Sequence, residues 1–286
     1  MAEKPRWTEV LKQVLPGLAA SGQPLLIVGE VGSGRATLAT RIHNTSGRTG
    51  PCLIVSCSEA SAAILTARFA SAAGGSLCLR DLELLPVEPQ AELLRLLTEP
   101  GSVRVLATAA PNIKEHVAAG RLRSDLWSVL QASRLDLPPL RERMDELPEL
   151  VTAILAKPPP EAPAVLSAEA KAALLTYRWP LNLRELREIL AQAIAAAGSG
   201  QPIGPEHLPA DVTRAYQNAR GTGIFPRFQN AVEKTLLLWC LADFKNRSDA
   251  ATALGLSRAG FYKQLNRHGL LDDHPPAKGK RNPRSD

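Results

Sequence analysis

Short aliphatic runs alternate with amphipathic stretches through the first half of the chain. Leu25–Val28, Leu53–Ser56, Ser76–Leu79, Val103–Ala107 and Arg134–Leu137 are too short for helices and lie between helical stretches, so each predicts a strand. Five strands alternating with helices predict a parallel, doubly wound α/β sheet. After Leu140 the strands stop. Helical spacing predicts helices over Met144–Leu155, Ser167–Tyr177 and Asn182–Ala197, broken by the proline-rich run that begins at Lys157, so an all-helical unit follows the sheet. The polar stretch from about Ala210 to Gly223 reads as a linker, and Arg227–Ala242 as a further helix.

The pattern changes again near the C-terminus. Ala250, Ala251 and Leu254 fall at helical intervals, Gly255 can take the positive φ of a helix stop, and Ser257 can cap a helix over Arg258–His268. On that second helix Phe261 and Leu265 are four apart and share the face that should be buried. Arg247, Ser248, Ser257, Arg258, Tyr262, Lys263, Asn266 and Arg267 remain for solvent or for double-stranded DNA. A helix presented N-terminus first into the major groove lets Arg and Asn read base edges while Lys and the helix end hold phosphate. The same spacing also suits a plain helical hairpin with a solvated basic face, and charge helps to separate the two.

Residues 220–286 hold 12 Lys/Arg against 6 Asp/Glu, which leaves 22 against 22 for residues 1–219, so the whole formal excess of +6 lies at the back. A localised excess of this kind fits a polyanionic partner. Beyond Asp273 the Pro-, Lys- and Arg-rich composition cannot build a core and reads as a disordered basic tail. Cys52, Cys57, Cys78 and Cys240 lack metal-ligand spacing and read as thiols of a reducing compartment. No stretch approaches a membrane span and no apolar signal core opens the chain, so a cytoplasmic protein with no membrane partner is expected.

Leu25–Val28 runs into a glycine loop and a helix start: Gly29, Gly32, Ser33, Gly34, Arg35, Ala36 and Thr37. The outer glycines have the spacing of a phosphate-binding loop, whose backbone N–H groups and following helix N-terminus cradle anions. Two chemical parts differ from the usual pattern. Arg35 stands where a lysine reaches the β- and γ-phosphates, and Ala36 offers no hydroxyl to Mg²⁺, although Thr37 lies next to it.

From Pro24 to Leu270 the chain resembles the bacterial enhancer-binding proteins, the sigma-54-dependent activators. The resemblance rests on Gly29–Gly34, Arg41-Ile-His43, Val55-Ser-Cys57, Gly74-Gly-Ser-Leu-Cys-Leu79, Gln90 to Leu97, Gly120 to Leu126, Leu137 to Arg143 and Trp179 to Leu186, in that order. It implies an AAA+ P-loop parallel-sheet domain with an all-helical lid, followed by an all-α Fis-type helix-turn-helix domain. The expected boundaries are 1–142 for the α/β part, 143–209 for the lid, 210–223 for the linker, 224–272 for the helix-turn-helix and 273–286 for the basic tail.

The departures from the family bear on activity. The family's Asp-Glu pair, which organises magnesium and polarises water, is here Arg80 and Asp81. A cation at the metal position repels Mg²⁺, and aspartate is one methylene shorter than the glutamate. The polar sensor position is Ala109; Arg123 matches the first of two arginine fingers while Val129 stands at the second; Arg184 matches the sensor arginine of the lid. Between Leu65 and Arg68 the family inserts the loop ending in Gly-Ala-Phe-Thr-Gly-Ala through which it grips sigma-54, and this chain has none. Arg35 and Arg80 either supply charge in place of the metal, so that ATP or ADP binds without hydrolysis, or belong to a relict pocket closed by an ion pair of Arg80 with Asp81 or Glu30. No cofactor is required on either view, and neither a catalytic residue nor a metal ligand is assigned. Three readings follow for the whole chain. It is a DNA-binding transcription regulator, dimeric through its C-terminal domain, that docks a partner such as RNA polymerase; or an ATP-driven sigma-54 activator with unusual residues; or a regulatory subunit of a related AAA+ activator in a mixed assembly.

Overall fold

The computed structural model describes residues 6–98, 101–156, 165–198, 201–221, 226–244 and 246–271. The proline-rich run after Ala156 and the basic tail, with Lys278, Lys280, Arg281 and Arg284, lie outside them. The chain forms two compact units, Met1–Arg143 with Trp179–Glu185, and Met144–Arg178 with Leu186–Asp286.

The first unit is a five-stranded parallel sheet in the order β2-β3-β4-β1-β5, with β1 Leu25–Val28, β2 Cys52–Ser56, β3 Ser76–Arg80, β4 Arg104–Ala109 and β5 Arg134–Asp136. Helix α1 Trp7–Ala20 precedes β1, and α2 Arg35–Thr45, α3 Ala62–Ser71, α4 Gln90–Thr98, α5 Ile113–Ala118 and α6 Ser124–Gln131 lie in the connections between strands. Side chains alternate across a strand, and both faces of a parallel sheet are covered. Leu26 and Val28 therefore join Leu77, Leu79, Val105 and Ala107 in one apolar cluster. Leu25 and Ile27 join Cys78, Leu106 and the α2 residues Leu38 and Ile42 in the other. Burial of the Cys78 thiol pushes it up to about 12, so it behaves as a packing group rather than a reactive thiolate.

Arg104 is the exception to the aliphatic pattern. It is fully buried at the start of β4, and its guanidinium donates to the carbonyls of Ala19 (3.2 Å) and Gln23 (3.0 Å), closing the C-terminus of α1. Burial holds its pKa below the usual arginine range. Ser61 caps α3 by accepting from the Ile64 amide at 3.3 Å, and α3 then runs unbroken through Leu65, Thr66, Ala67 and Arg68.

The second unit is helical. It contains α7 Leu147–Leu155, α8 Ala168–Thr176 and, from Leu186 onward, the body of α9 Asn182–Ala197. A single parallel bridge pairs Leu166 with Ile203, and Ser167 caps α8 on the Ala170 amide at 3.1 Å. The stretch expected as a linker is instead a helix, α10 Ala210–Gly221. Its polar composition hides an apolar stripe: Val212 is fully buried, and α10 packs on α8. The unit ends in α11 Pro226–Asp243, α12 Arg247–Ala253 and α13 Arg258–Arg267. Ala250 and Ala251 of α12 and Phe261 and Leu265 of α13 close on Leu237 and Cys240 of α11 in one cluster. Gly255 (φ 65°) makes the turn between α12 and α13, in the left-handed region that L side chains rarely adopt.

Candidate functional site

The loop between β1 and α2 is held by groups from three directions. Gly32 (φ 75°) lies so close to the Leu181 carbonyl that an added Cβ would sit 2.0 Å from its oxygen, so only glycine fits. Gly29 donates its amide to the Ala109 carbonyl at 3.1 Å, which ties the loop to the end of β4. Asn182, the first residue of α9, donates to the Val31 carbonyl (3.0 Å) and to Glu30 (3.2 Å), while its own side-chain oxygen accepts the Leu140 amide at 2.7 Å. Arg141 forks onto both oxygens of Glu30 at 2.6 and 2.8 Å, and Arg143 donates to the Ser33 carbonyl at 3.3 Å. The Arg141 hydrogen bonds hold the Glu30 carboxyl below its usual range. Sequence reasoning did not single out Glu30's true partner, Arg141, or Asn182.

Arg35 begins α2 and is buried. It donates to Asp81 Oδ1 at 2.8 Å, and its other terminal nitrogen lies 4.0 Å from Glu83 Oε1. The pocket's ion pair is thus made by Arg35 with Asp81, and not by Arg80 with Asp81 or Glu30 as the relict reading expects. Asp81 is set by its backbone: it has φ 59°, and its amide donates to Thr108 Oγ1 at 3.1 Å. Glu83 accepts the Ala110 amide at 3.0 Å. Arg80 ends β3 with an exposed side chain. Ala36 is half-buried, Thr37 is exposed on α2, and Ala109 is buried. Ser33 Oγ and Arg35 Nη1 are buried with no hydrogen-bond partner among the described residues. Among the described residues no group of three His, Cys, Asp or Glu side chains is placed to hold a metal ion.

The two remaining arginines expected near this pocket differ in setting. Arg184, in the first turn of α9, has its Cβ 3.0 Å from the point a Gly32 Cβ would occupy. Arg123 is exposed and paired with Asp125 at 2.6 Å, which raises its pKa and lowers that of Asp125. Buried Gln90 sets the Arg123 backbone by accepting its amide at 2.9 Å.

In the second unit α13 presents the polar residues expected of it, with one exception. Ser257 caps the helix on the Gly260 amide (3.1 Å), and Arg258, Lys263 and Asn266 are exposed. The Tyr262 ring lies under two guanidinium groups, Arg247 at 5.3 Å and Arg258 at 6.0 Å; hydrogen bonding from Arg247 lowers the Tyr262 pKa. Ser248 is exposed near the start of α12. Arg267 turns back onto α11, donating to Asn230 at 2.8 Å and lying 3.5 Å from Glu233. Its guanidinium stays about half exposed but is held by these contacts, where the spacing alone suggested an unengaged outward cation.

A glycine loop clamped between the first strand and the following helix, in a five-stranded parallel sheet with a helical lid, defines a P-loop protein of the AAA+ fold. Residues 5–140 match the sigma-54 interaction domain family and residues 141–223 the AAA+ ATPase lid domain, and the chain is similar to sigma-54-dependent transcriptional regulators. It is 30% identical to the C4-dicarboxylate transport transcriptional regulatory protein DctD of Rhizobium meliloti, over 92% of this chain and 63% of that protein. It is 29% identical to the sigma54-dependent transcriptional activator SfnR of Pseudomonas putida, over 90% of this chain and 84% of that one. The chain thus spans under two thirds of the length of DctD. The fold is shared with the crystal structure of NtrX from Brucella abortus in complex with ADP, at a TM-score of 0.65 and 22% identity, over 94% of this chain and 70% of that one. Among the described residues no helix is long and apolar enough to cross a membrane.

Proposed function

We propose that this protein is a DNA-binding transcription regulator whose AAA+ unit is a scaffold and not an ATP-driven motor. The ion pair of Arg35 with Asp81 carries the reading. A carboxylate that polarises an attacking water must reach it, and Asp81 is one methylene shorter than the family's glutamate and is pinned through Oδ1 onto the Arg35 guanidinium. The same contact takes up the cation at the position of the phosphate-contacting lysine. Mg²⁺ does not fit this donor set, because Arg80 stands at the metal-organising position. A phosphate group is the better candidate: among the described residues Ser33 Oγ and Arg35 Nη1 are each buried without a hydrogen-bond partner, and each could donate to an anion oxygen. ATP or ADP is therefore read as a metal-independent ligand that is not hydrolysed. The unbroken helix α3 supports the second half of the proposal, since the sigma-54-gripping loop of the family would interrupt it between Leu65 and Arg68.

DNA recognition is assigned to 224–272 as a Fis-type helix-turn-helix domain, with α13 in the major groove. Arg258 and Asn266 would read base edges, and Lys263 with Arg247 would hold phosphate. A dimer formed through α11 would place two such helices about one turn of DNA apart. RNA polymerase or a related AAA+ activator is the protein partner this reading implies. The test is calorimetry of the full chain with ATP and with ADP, each with and without Mg²⁺, beside a DNA-binding titration in rising salt. Nucleotide heats that are the same with and without Mg²⁺, and DNA affinity that falls steeply with salt, are expected. Binding that depends on Mg²⁺, or salt-independent DNA affinity, would overturn the corresponding half.

A further inference from the structure

The second unit contains a cavity of about 450 Å³ that the nucleotide and DNA readings leave unused. Its walls are mostly apolar, built from Val151, Leu155 and Leu166 with the rings of Trp239 and Phe244. Small-molecule sites of roughly 300–1,000 Å³ have this character, a mostly apolar lining with a few placed polar groups. The polar groups here are Lys171 of α8, Asp243, the last residue of α11, and Thr152, whose hydroxyl already donates to the Pro148 carbonyl. Lys171 is almost fully enclosed, with 3% of its side chain exposed, and its Nζ lies 2.5 Å from Asp243 Oδ2. It also stands over the Trp239 ring at 5.5 Å and the Phe244 ring at 6.0 Å. An ammonium has three donors, and Asp243 is its one hydrogen-bond partner among the described residues.

The two members of this pair are unequal. Asp243 keeps 37% of its side chain in contact with solvent, so it can swing outward and be hydrated; Lys171 has no such route. A second carboxylate entering the cavity can take over Lys171 while Asp243 moves to water, and the buried charge stays balanced throughout. An entering amine has no equivalent exchange. We propose that this cavity binds a small apolar carboxylate, an aromatic or short-chain aliphatic acid, through Lys171, with Asp243 as the internal competitor it displaces. The apolar body lies against Trp239, Phe244, Val151 and Leu155. Displacement loosens the tie between α8 and the end of α11, three residues before the Asn246 cap of α12.

The test uses the full chain with phenylacetate and octanoate as probes and phenylacetamide as the neutral control, read by calorimetry and by the rise in melting temperature. Phenylacetate should bind and phenylacetamide should not. Asp243→Asn removes the competing carboxylate and should tighten phenylacetate binding by about tenfold or more. Lys171→Met should abolish the preference for acid over amide. Equal binding of acid and amide to the natural protein would overturn the site, as would an Asp243→Asn variant with unchanged or weaker affinity for the acid. The second comparison stands even where Lys171→Met does not fold, and neither depends on nucleotide or DNA.

Discussion

Arg35 and Arg258 occupy the same helical position, each the first residue of its helix, α2 and α13. Both meet the positive end of a helix dipole, an unfavourable place for a cation. Arg35 is buried and answers that cost with Asp81 at 2.8 Å and Glu83 further out. Arg258 is exposed and lies over the Tyr262 ring at 6.0 Å. One residue type at one helix position thus gives a closed pair in the first unit and an open cation in the second. What decides between them is the left-handed turn at Asp81, which brings a carboxylate in from the end of β3. The phosphate loop repeats the lesson: Arg141 and Arg143 also turn inward, onto Glu30 and the Ser33 carbonyl.

The comparison can be broken most forcefully through the packing that presents α13. Phe261→Ala empties a fully buried position in the cluster with Leu237 and Cys240 and should cost about 3–5 kcal/mol in denaturant unfolding of the second unit. Loss of less than about 1 kcal/mol would mean that the helix is not held by this core. Next in size is the open cation itself. Arg258→Ala with Lys263→Ala should weaken DNA binding by about a hundredfold at moderate salt and reduce the salt slope by about one, the share of Lys263. An unchanged slope would show that Lys263 does not meet phosphate.

The closed pair gives a smaller effect. Asp81→Asn leaves Arg35 buried beside a neutral group and should cost about 1–3 kcal/mol, while adding Arg35→Met, with Asn kept at the left-handed position, should recover most of it. A neutral single variant would show that Asp81 is not what closes the pocket. Smallest is the pH dependence of how α2 is seated. His43 is buried on α2 against Ser76 Oγ at 2.9 Å, and burial, with Arg48 nearby, lowers its pKa below 6.5. The folded state therefore binds the proton less readily than the unfolded one. Its contribution is full above about 6.5 and is lost as the pH falls below that value. A His43→Asn variant should flatten the melting temperature between pH 7 and pH 5; an unaltered slope would assign the acid sensitivity elsewhere.

Much of this architecture is legible in the chain because periodicity is a local property. The β1 run is buried along its whole length, the α9 stretch begins at Asn182 and ends at Ala197, and Phe261 and Leu265 face inward as their spacing requires. Partners far apart in sequence leave no such trace. Lys171 sits among alanines on a stretch that reads as an ordinary helix surface, yet its carboxylate lies 72 positions away. Arg104 falls inside the run Val103–Ala107, and nothing in that run foretells the α1 and Gln23 carbonyls brought beside it. Arg35 is visible as a departure from the lysine pattern, but its pairing with Asp81 depends on a backbone turn that no spacing rule encodes. Helix α10 is missed for another reason: its hydrophobic stripe is narrow and its composition polar.

The central claim is that the Arg35–Asp81 pair leaves an AAA+ fold without its motor. Phosphate release by the full chain at saturating ATP and Mg²⁺, followed with and without DNA, tests it most directly. The account predicts no release above the rate of buffer alone in either condition. Sustained release that requires Mg²⁺ and is lost on Asp81→Asn would contradict it and make Asp81 a working base.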